Sequence, residues 1–393
     1  MCRRARIRDV HESSAVPTCA PPVVLSHPGA ISDRLLAAEP DRGVPNKPSI
    51  QEETSPMTRL ASLLATAAFG LAVLAPGQVR AEIKERTLRF AFQNVLEHPQ
   101  GQGAQKFAEL VTQKSGGKIK VRLFAGGQLG GDLQTVSALQ GGTLDITVLN
   151  AGLLVGQVKE FGLFDLPFLF ESGKQADAVV DGPFGQKLAA TLPAKGLVGL
   201  GYWELGFRNV TNSRRPITKA EDIAGLKIRV VQSPLYIELF NALGANAVPL
   251  PFPEVYTALE QKTVDGQENP VSVVLNAKFS EVQKNLTFTR HTYNPQIVLA
   301  SKRVWDRLDA EEKQLIEAAA AEAKAYQRQV NRDAEAKMVE QLKAAGMQLV
   351  ELSPAETARL REKAQPVVRK FSDGANEAVL KELQAELEKA RGN

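Results

Sequence analysis

Cysteine is scarce in this 393-residue chain: Cys2 and Cys19 are the whole supply, and nothing after position 19 carries a thiol. That excludes disulfide staples, CxxC redox pairs, thiolate nucleophiles and cysteine-based zinc sites from the rest of the chain. Histidine is nearly as rare, and of four residues only His98 and His291 fall beyond position 81. No GxSxG elbow, HExxH helix or Walker-type phosphate loop occurs. The pairs Gly101/Gly103 and Gly199/Gly201 lack the third glycine of a dinucleotide fingerprint. A Ser-His-Asp triad is possible but unsupported. Charge of one sign is lacking too. Residues 82–393 hold 39 Lys and Arg against 37 Asp and Glu, and a net of about +2 leaves no footprint for a polyanion. Beyond residue 81 no apolar run exceeds about eight residues, short of the roughly 20 that a membrane helix requires.

What is present begins with a leader. Residues 1–56 are rich in Arg, Pro and Ser without a period of 2 or 3.6, and read as a non-structural upstream segment. At Met57 the pattern changes. Arg59 is followed by the apolar run Leu60–Leu74 and then by Val79-Arg80-Ala81, a small-x-small site. This is the layout of a secretory signal peptide over 57–81, with cleavage near Ala81/Glu82. An N-terminal membrane anchor is the alternative, though a run of about 15 residues is short for one. The true start is then Met57, and the working protein is 82–393, long enough to build two domains.

Thr87–Phe92, Lys118–Phe124 and Leu144–Leu149 alternate or run apolar as strands. Helical periods fill Gln102–Ser115 and Leu129–Leu139 between them. This order predicts βαβ units and a mainly parallel sheet. Strands follow at Leu197–Tyr202, Phe207–Val210 and Leu226–Val231, with helices Pro234–Leu243 and Pro253–Lys262 opening on proline. Asp309-Ala310-Glu311-Glu312 is a capping-box start for a helix reaching about Ala345, a rod of roughly 55 Å. Ser353-Pro354 starts another, predicted to run to about Ala390. A rod that long suggests a brace across two lobes, with a coiled coil or tail as the alternative.

In such folds ligands sit at strand ends. Arg208 and Arg229 fall in different strands, and two planar guanidinium forks could clamp one carboxylate. A structural ion pair is the bland reading of either arginine. Asn269, before Pro270, reads equally as a helix N-cap or as part of an anion site. Trp203 and Tyr202 could wall a pocket or fill core.

Several segments together are more specific: GQLGGD (127–132), LQGGTLDI (139–146), FDLPFLF (164–170), YWELGFRNVTNSRRPI (202–217), GLKIRV (225–230), PFPEVYTALEQKTVDGQENP (251–270) and EVQKNLTFTRH (281–291). In this order they resemble the DctP family, the extracytoplasmic solute receptors of tripartite ATP-independent periplasmic (TRAP) transporters. The likeness covers nearly all of 82–393.

The resemblance implies an α/β fold of the two-domain periplasmic binding protein type, with mixed sheets flanked by helices and a long C-terminal helix bridging both domains. Domain I would take 82–205 plus 295–333, and domain II 206–294 plus 334–393. The protein would be a periplasmic receptor that closes by a hinge on a small organic acid and delivers it to small and large permease subunits. It would be no enzyme and need no cofactor; some keto-acid receptors of the wider family bind through a metal, which the paired Arg208 and Arg229 make unnecessary here, and a monomer is the default expectation. Arg229 is implied as the principal carboxylate contact, Arg208 and Asn269 as the second and third, and Phe252 as a wall. Gln93 and Asn150 would touch the rest of the ligand. Gln232, His98 and Trp203 are implied as further liners. Sialic-acid receptors of the family carry an acidic and a basic residue where this chain has Asn150 and Leu153, which argues against that ligand. Dicarboxylates, hydroxy or keto acids, sugar acids and aromatic acids stay open. An ABC-importer receptor, a sensor domain, or a periplasmic lyase or hydrolase would be the rival readings.

Overall fold

The computed structural model describes residues 82–375 and 377–391. The leader readings for 1–56 and 57–81 lie outside the described residues. One mixed sheet of nine strands forms the centre, ordered β2-β1-β3-β8-β4-β7-β5-β6 with β9 beside β8. The strands are β1 (Arg86–Ala91), β2 (Ile119–Phe124), β3 (Ile146–Asn150), β4 (Leu197–Asn212), β5 (Lys227–Val230), β6 (Asn246–Pro249), β7 (Gly266–Asn269), β8 (Asn285–Ser301) and β9 (Gln348–Glu351). Helices flank the sheet.

The expected βαβ start is present, with β1 parallel to both β2 and β3. The sheet is mixed, with five of its eight strand pairings parallel. β8 runs antiparallel to β3 and β4, and β7 antiparallel to β4. The two predicted strands at 197–202 and 207–210 are one strand of 16 residues. Its glycines read as breaks in the sequence but are used as bulges. Gly201 and Gly206 have φ of +130° and +108°, and the β4–β8 register shifts at Gly199/Gly201 and Glu204/Gly206.

The helix Ala310–Ala344 has 35 residues and spans about 52 Å. It starts as its sequence predicts: the Asp309 side chain accepts from Glu312 N–H at 2.9 Å, and Glu312 reaches back to Asp309 N–H at 3.0 Å. Its middle is stitched to β4 beside the Glu204/Gly206 bulge. Gln327 accepts from Glu204 N–H and donates to Glu204 C=O, so the bulged backbone stays paired. Arg332 pairs with Glu204 and Asp177. The predicted single helix to Ala390 is instead two, Pro354–Asp373 and Glu377–Arg391, with Gly374 at the C-cap of the first.

Phe90, Phe92, Phe107 and Trp203 pack edge-on or tilted, with centroids 5.6–6.1 Å apart. Each such pair adds about 0.5–1.5 kcal/mol beyond its burial. Trp203 is 2% exposed and is core; it does not wall a cavity. No described helix is long and apolar enough to cross a membrane.

Candidate functional site

Three short stretches converge where strands end. β7 lies between β4 and β5, so Arg208 (β4), Asn269 (end of β7) and Arg229 (β5) sit on neighbouring strands. Gln93 follows β1, and Asn150 ends β3 opposite Gln296 of β8. Asp132 opens the helix Asp132–Gly141. All of these side chains, with Phe252, line one cavity of about 40 Å³.

Of the nine residues singled out from the sequence, six meet there: Arg229, Arg208, Asn269, Phe252, Gln93 and Asn150. Gln232 is exposed and does not reach the cavity, because alternation along the chain after β5 turns it outward. Trp203 is taken up by the aromatic core. His98 is buried one layer away, where its Nδ1 accepts from Gln100 N–H at 2.9 Å and its Nε2 meets Ser272 Oγ at 3.1 Å. Burial pushes its pKa down to about 3, so it is neutral. It caps the helix Pro99–Lys114 and does not line the cavity. Asn269, by contrast, caps no helix. Its Nδ2 donates to Gln267 Oε1 at 2.6 Å, and the next helix starts on Pro270 without a side-chain cap.

The two arginines differ in a way the sequence did not reveal. Arg208 is 1% exposed and already paired. Its guanidinium forks onto the Glu268 carboxylate through Nε and Nη2 (2.9 Å for Nη2), and Nη1 donates to Asn294 Oδ1 at 2.8 Å. Nη2 also donates to the Glu268 carbonyl. Four of its five N–H groups are thus engaged, so the expected two-point grip on a ligand reduces to one free N–H. Burial opposes the charge, but Glu268 outweighs it and the Arg208 pKa lies above the usual arginine value. Burial likewise opposes charge on Glu268, yet Arg208 and His291 hold that carboxyl below its usual range. His291 donates or accepts between Glu268 (3.2 Å) and Thr289 (2.8 Å), and burial lowers its pKa.

Arg229 has no such counter-ion. Its Nε and Nη2 donate to one backbone oxygen, Leu250 C=O, and among the described residues it forms no ion pair. At 3% exposure, burial pushes its pKa down to about 10 despite Glu268 at a distance. The other edge of the fork, Nη1 and one Nη2 hydrogen, is unspent. A buried, charged, unpaired fork is costly without an anion.

A larger cavity of about 300 Å³ lies beyond Leu205, lined by Glu204, Tyr293, Asn331 and Arg332. Size does not make it the anion site: its arginine is already neutralised by Glu204 and Asp177. Among the described residues no group of three or more His, Asp or Glu side chains could hold a metal ion.

Sequence reasoning missed Asp132, Asn94, Gln100 and Gln296 as liners, and missed the buried group around Arg208. Glu268 stood in the quoted segment VDGQENP, one residue before Asn269; Gln296 carried no local signal.

A mixed α/β sheet with a buried anion-ready cavity at its strand ends, and no metal cluster among its described residues, defines a binding protein for small acidic solutes. The profile of the DctP family, bacterial extracellular solute-binding protein family 7, matches residues 90–374, and the chain belongs to that family. It is 39% identical over 281 residues to the 2,3-diketo-L-gulonate-binding periplasmic protein YiaO of Escherichia coli, covering 72% of this chain and 84% of that protein. It is 33% identical to the C4-dicarboxylate-binding periplasmic protein DctP of Rhodobacter capsulatus, covering 78% and 92%. Among solved structures, the sugar acid binding protein DctPAm of Advenella mimigardefordensis in complex with galactonate has a TM-score of 0.77 and 44% identity, covering 78% of this chain and 99% of that one. Members of this family are substrate-binding proteins of transport systems.

Proposed function

We propose that this protein is the periplasmic solute receptor of a TRAP transporter, that it captures a small organic acid by hinge closure, and that it delivers the acid to small and large permease subunits. The observation that carries the reading is Arg229: a buried guanidinium with one open edge and no counter-ion, facing a cavity. A ligand carboxylate supplies the missing charge through two parallel N–H···O bonds. Arg208 adds its one remaining N–H, and Asn269 and Phe252 border the same carboxylate.

The lobes are 82–205 plus 295–333 and 206–294 plus 334–393. The chain passes between them on β4, β8 and the helix Ala310–Ala344, and the first crossing falls at the Glu204/Gly206 bulge, where Gly206 has a φ of +108°. A bulge with a left-handed glycine is a suitable hinge. A cavity of about 40 Å³ has room for one or two waters, so an acid enters only when the lobes part. The relatives' ligands differ beyond the carboxylate, as diketogulonate, a C4-dicarboxylate and galactonate do; the shared group is the one Arg229 would hold. Export by the segment 57–81 places the working protein in the periplasm, as a monomer without catalytic activity.

A thermal-shift screen against organic acids tests this. An acid at 100 times its Kd adds about 2.7 kcal/mol, or a few degrees of midpoint for a chain of this size. Stabilisation confined to carboxylates supports the reading. Turnover of an acid by the purified protein, or stabilisation only by non-acidic solutes, overturns it.

A further inference from the structure

The cavity that Arg229 lines also holds three acceptors that the arginines do not bond. Asp132 stands there as a carboxylate, felt by both Arg229 and Arg208. Gln93 and Gln296 line the same cavity, 7% and 3% exposed. Each amide nitrogen makes one hydrogen bond, Gln93 Nε2 to Gly130 C=O at 3.1 Å and Gln296 Nε2 to Asn150 Oδ1 at 3.4 Å. Their Oε1 atoms are buried with no hydrogen-bond partner among the described residues. Buried acceptors left unmatched ask for donors. No second free cation lines the cavity.

We propose that the site selects polyhydroxylated monocarboxylates, the aldonic-acid class, and rejects dicarboxylates. Arg229 takes the single carboxylate, and Asp132, Gln93 and Gln296 accept hydrogen bonds from hydroxyls farther along the ligand. The inference rests on the carboxylate-receptor reading and adds the chemistry of the far end. A hydroxyl is a donor and meets all three acceptors. A second carboxylate has no donor to give and meets Asp132 as a like charge in a desolvated site, which is strongly disfavoured. Burial pushes the Asp132 carboxyl up to about 6 against the opposing pull of Arg229, so it is charged at pH 7.5 and the filter operates there. A plain alkyl acid satisfies Arg229 but leaves the acceptors empty.

The test is titration calorimetry at pH 7.5 with D-erythronate, D-gluconate, succinate and butyrate. An aldonate should bind at least tenfold tighter than either succinate or butyrate. In Asp132→Asn the succinate-to-aldonate ratio should shift by on the order of tenfold toward succinate. Gln296→Leu, which adds no charge, should weaken aldonate binding more than butyrate binding. Succinate binding as tightly as the aldonates in the unaltered protein, or selectivity unmoved in both variants, overturns this inference while the receptor reading stands. Binding of none of the acids overturns both.

Discussion

Replacing Arg229 by Met separates a binding charge from a structural one, because the fold contains its own control in Arg208. The Arg229 fork has one edge on Leu250 C=O and the other free, with no carboxylate bonded to it among the described residues. If the free edge grips the ligand, Arg229→Met removes two charge-assisted hydrogen bonds. At about 1.5–3 kcal/mol each, the loss is about 3–6 kcal/mol, or roughly a hundredfold to ten-thousandfold in Kd. The ligand-free variant should lose little stability. Relief of a buried charge whose pKa is pushed down to about 10 offsets the bonds lost at Leu250, leaving a net change within about 2 kcal/mol. Arg208→Met does the opposite. It strands Glu268, itself fully buried, and should cost about 3–5 kcal/mol before any ligand is added. Calorimetry gives the affinities and urea denaturation the stabilities. Arg229→Met binding within threefold of the unaltered protein would refute the anion role. Equal destabilisation by the two variants would show that Arg229 is merely structural.

Further outcomes follow from the same geometry. Asp165 is buried, its Oδ1 accepts from Asn294 at 2.9 Å, its Oδ2 has no partner, and burial pushes its pKa up to about 7. A folded pKa above the unfolded value means the native state holds the extra proton, so the stability contribution is complete near pH 4 and is lost as pH rises to about 7. Relative to Asp165→Asn, the unaltered protein should therefore weaken by a few kcal/mol over that window, at about 1.4 kcal/mol per unit. A constant difference between denaturation midpoints at pH 4.5 and 7.5 would contradict it. In Gly266→Ala the new Cβ would stand 2.1 Å from Thr211 C=O, inside the β4–β7 pairing; a loss of about 3 kcal/mol, the upper end for overpacking, should appear in urea melts together with weaker ligand binding. Trp203→Ala should cost about 3–5 kcal/mol in stability with affinity nearly kept, whereas Gln232→Ala, at an exposed position, should change stability by less than about 0.5 kcal/mol and affinity not at all.

The elements were legible where signals were local. The capping box at Asp309, the alternation in 119–124 and the proline start at Pro234 each reported a backbone state set within a turn or two, and each element formed. Glycine misled. Gly201 and Gly206 look like strand ends, yet β8 alongside holds β4 together as one strand, and the left-handed glycines only bend it. The resemblance implied mixed sheets, but periodicity alone did not show the antiparallel pairs: β8 is a 17-residue strand whose partners lie 63 to 154 positions away. Arg208 and Arg229 were found because each breaks an apolar strand. Their unequal roles were not, since the difference is made by Glu268, 60 residues from Arg208 and legible only once β7 lies beside β4.

That difference is what makes the cavity receptive to one anion. Arg208 and Glu268 cancel each other in a space that excludes water. His291, beside them, is held toward neutrality by burial. The pair is therefore a fixed dipole and a scaffold, and its charge attracts little. Arg229, two strands away across β7, keeps a charge at the cavity wall that no direct ion pair neutralises among the described residues, with Glu268 and Asp132 acting on it only through space. Strand β7 supplies both halves of the arrangement: Glu268 turns to one side to neutralise Arg208, while Gln267 and Asn269, joined by a 2.6 Å hydrogen bond, hold the other side beside the cavity. A site with both arginines free would pay a larger desolvation cost when empty. A site with both paired would have nothing to offer a carboxylate. With one of each, the empty protein holds one guanidinium with no direct ion pair, and the ligand carboxylate supplies that pair.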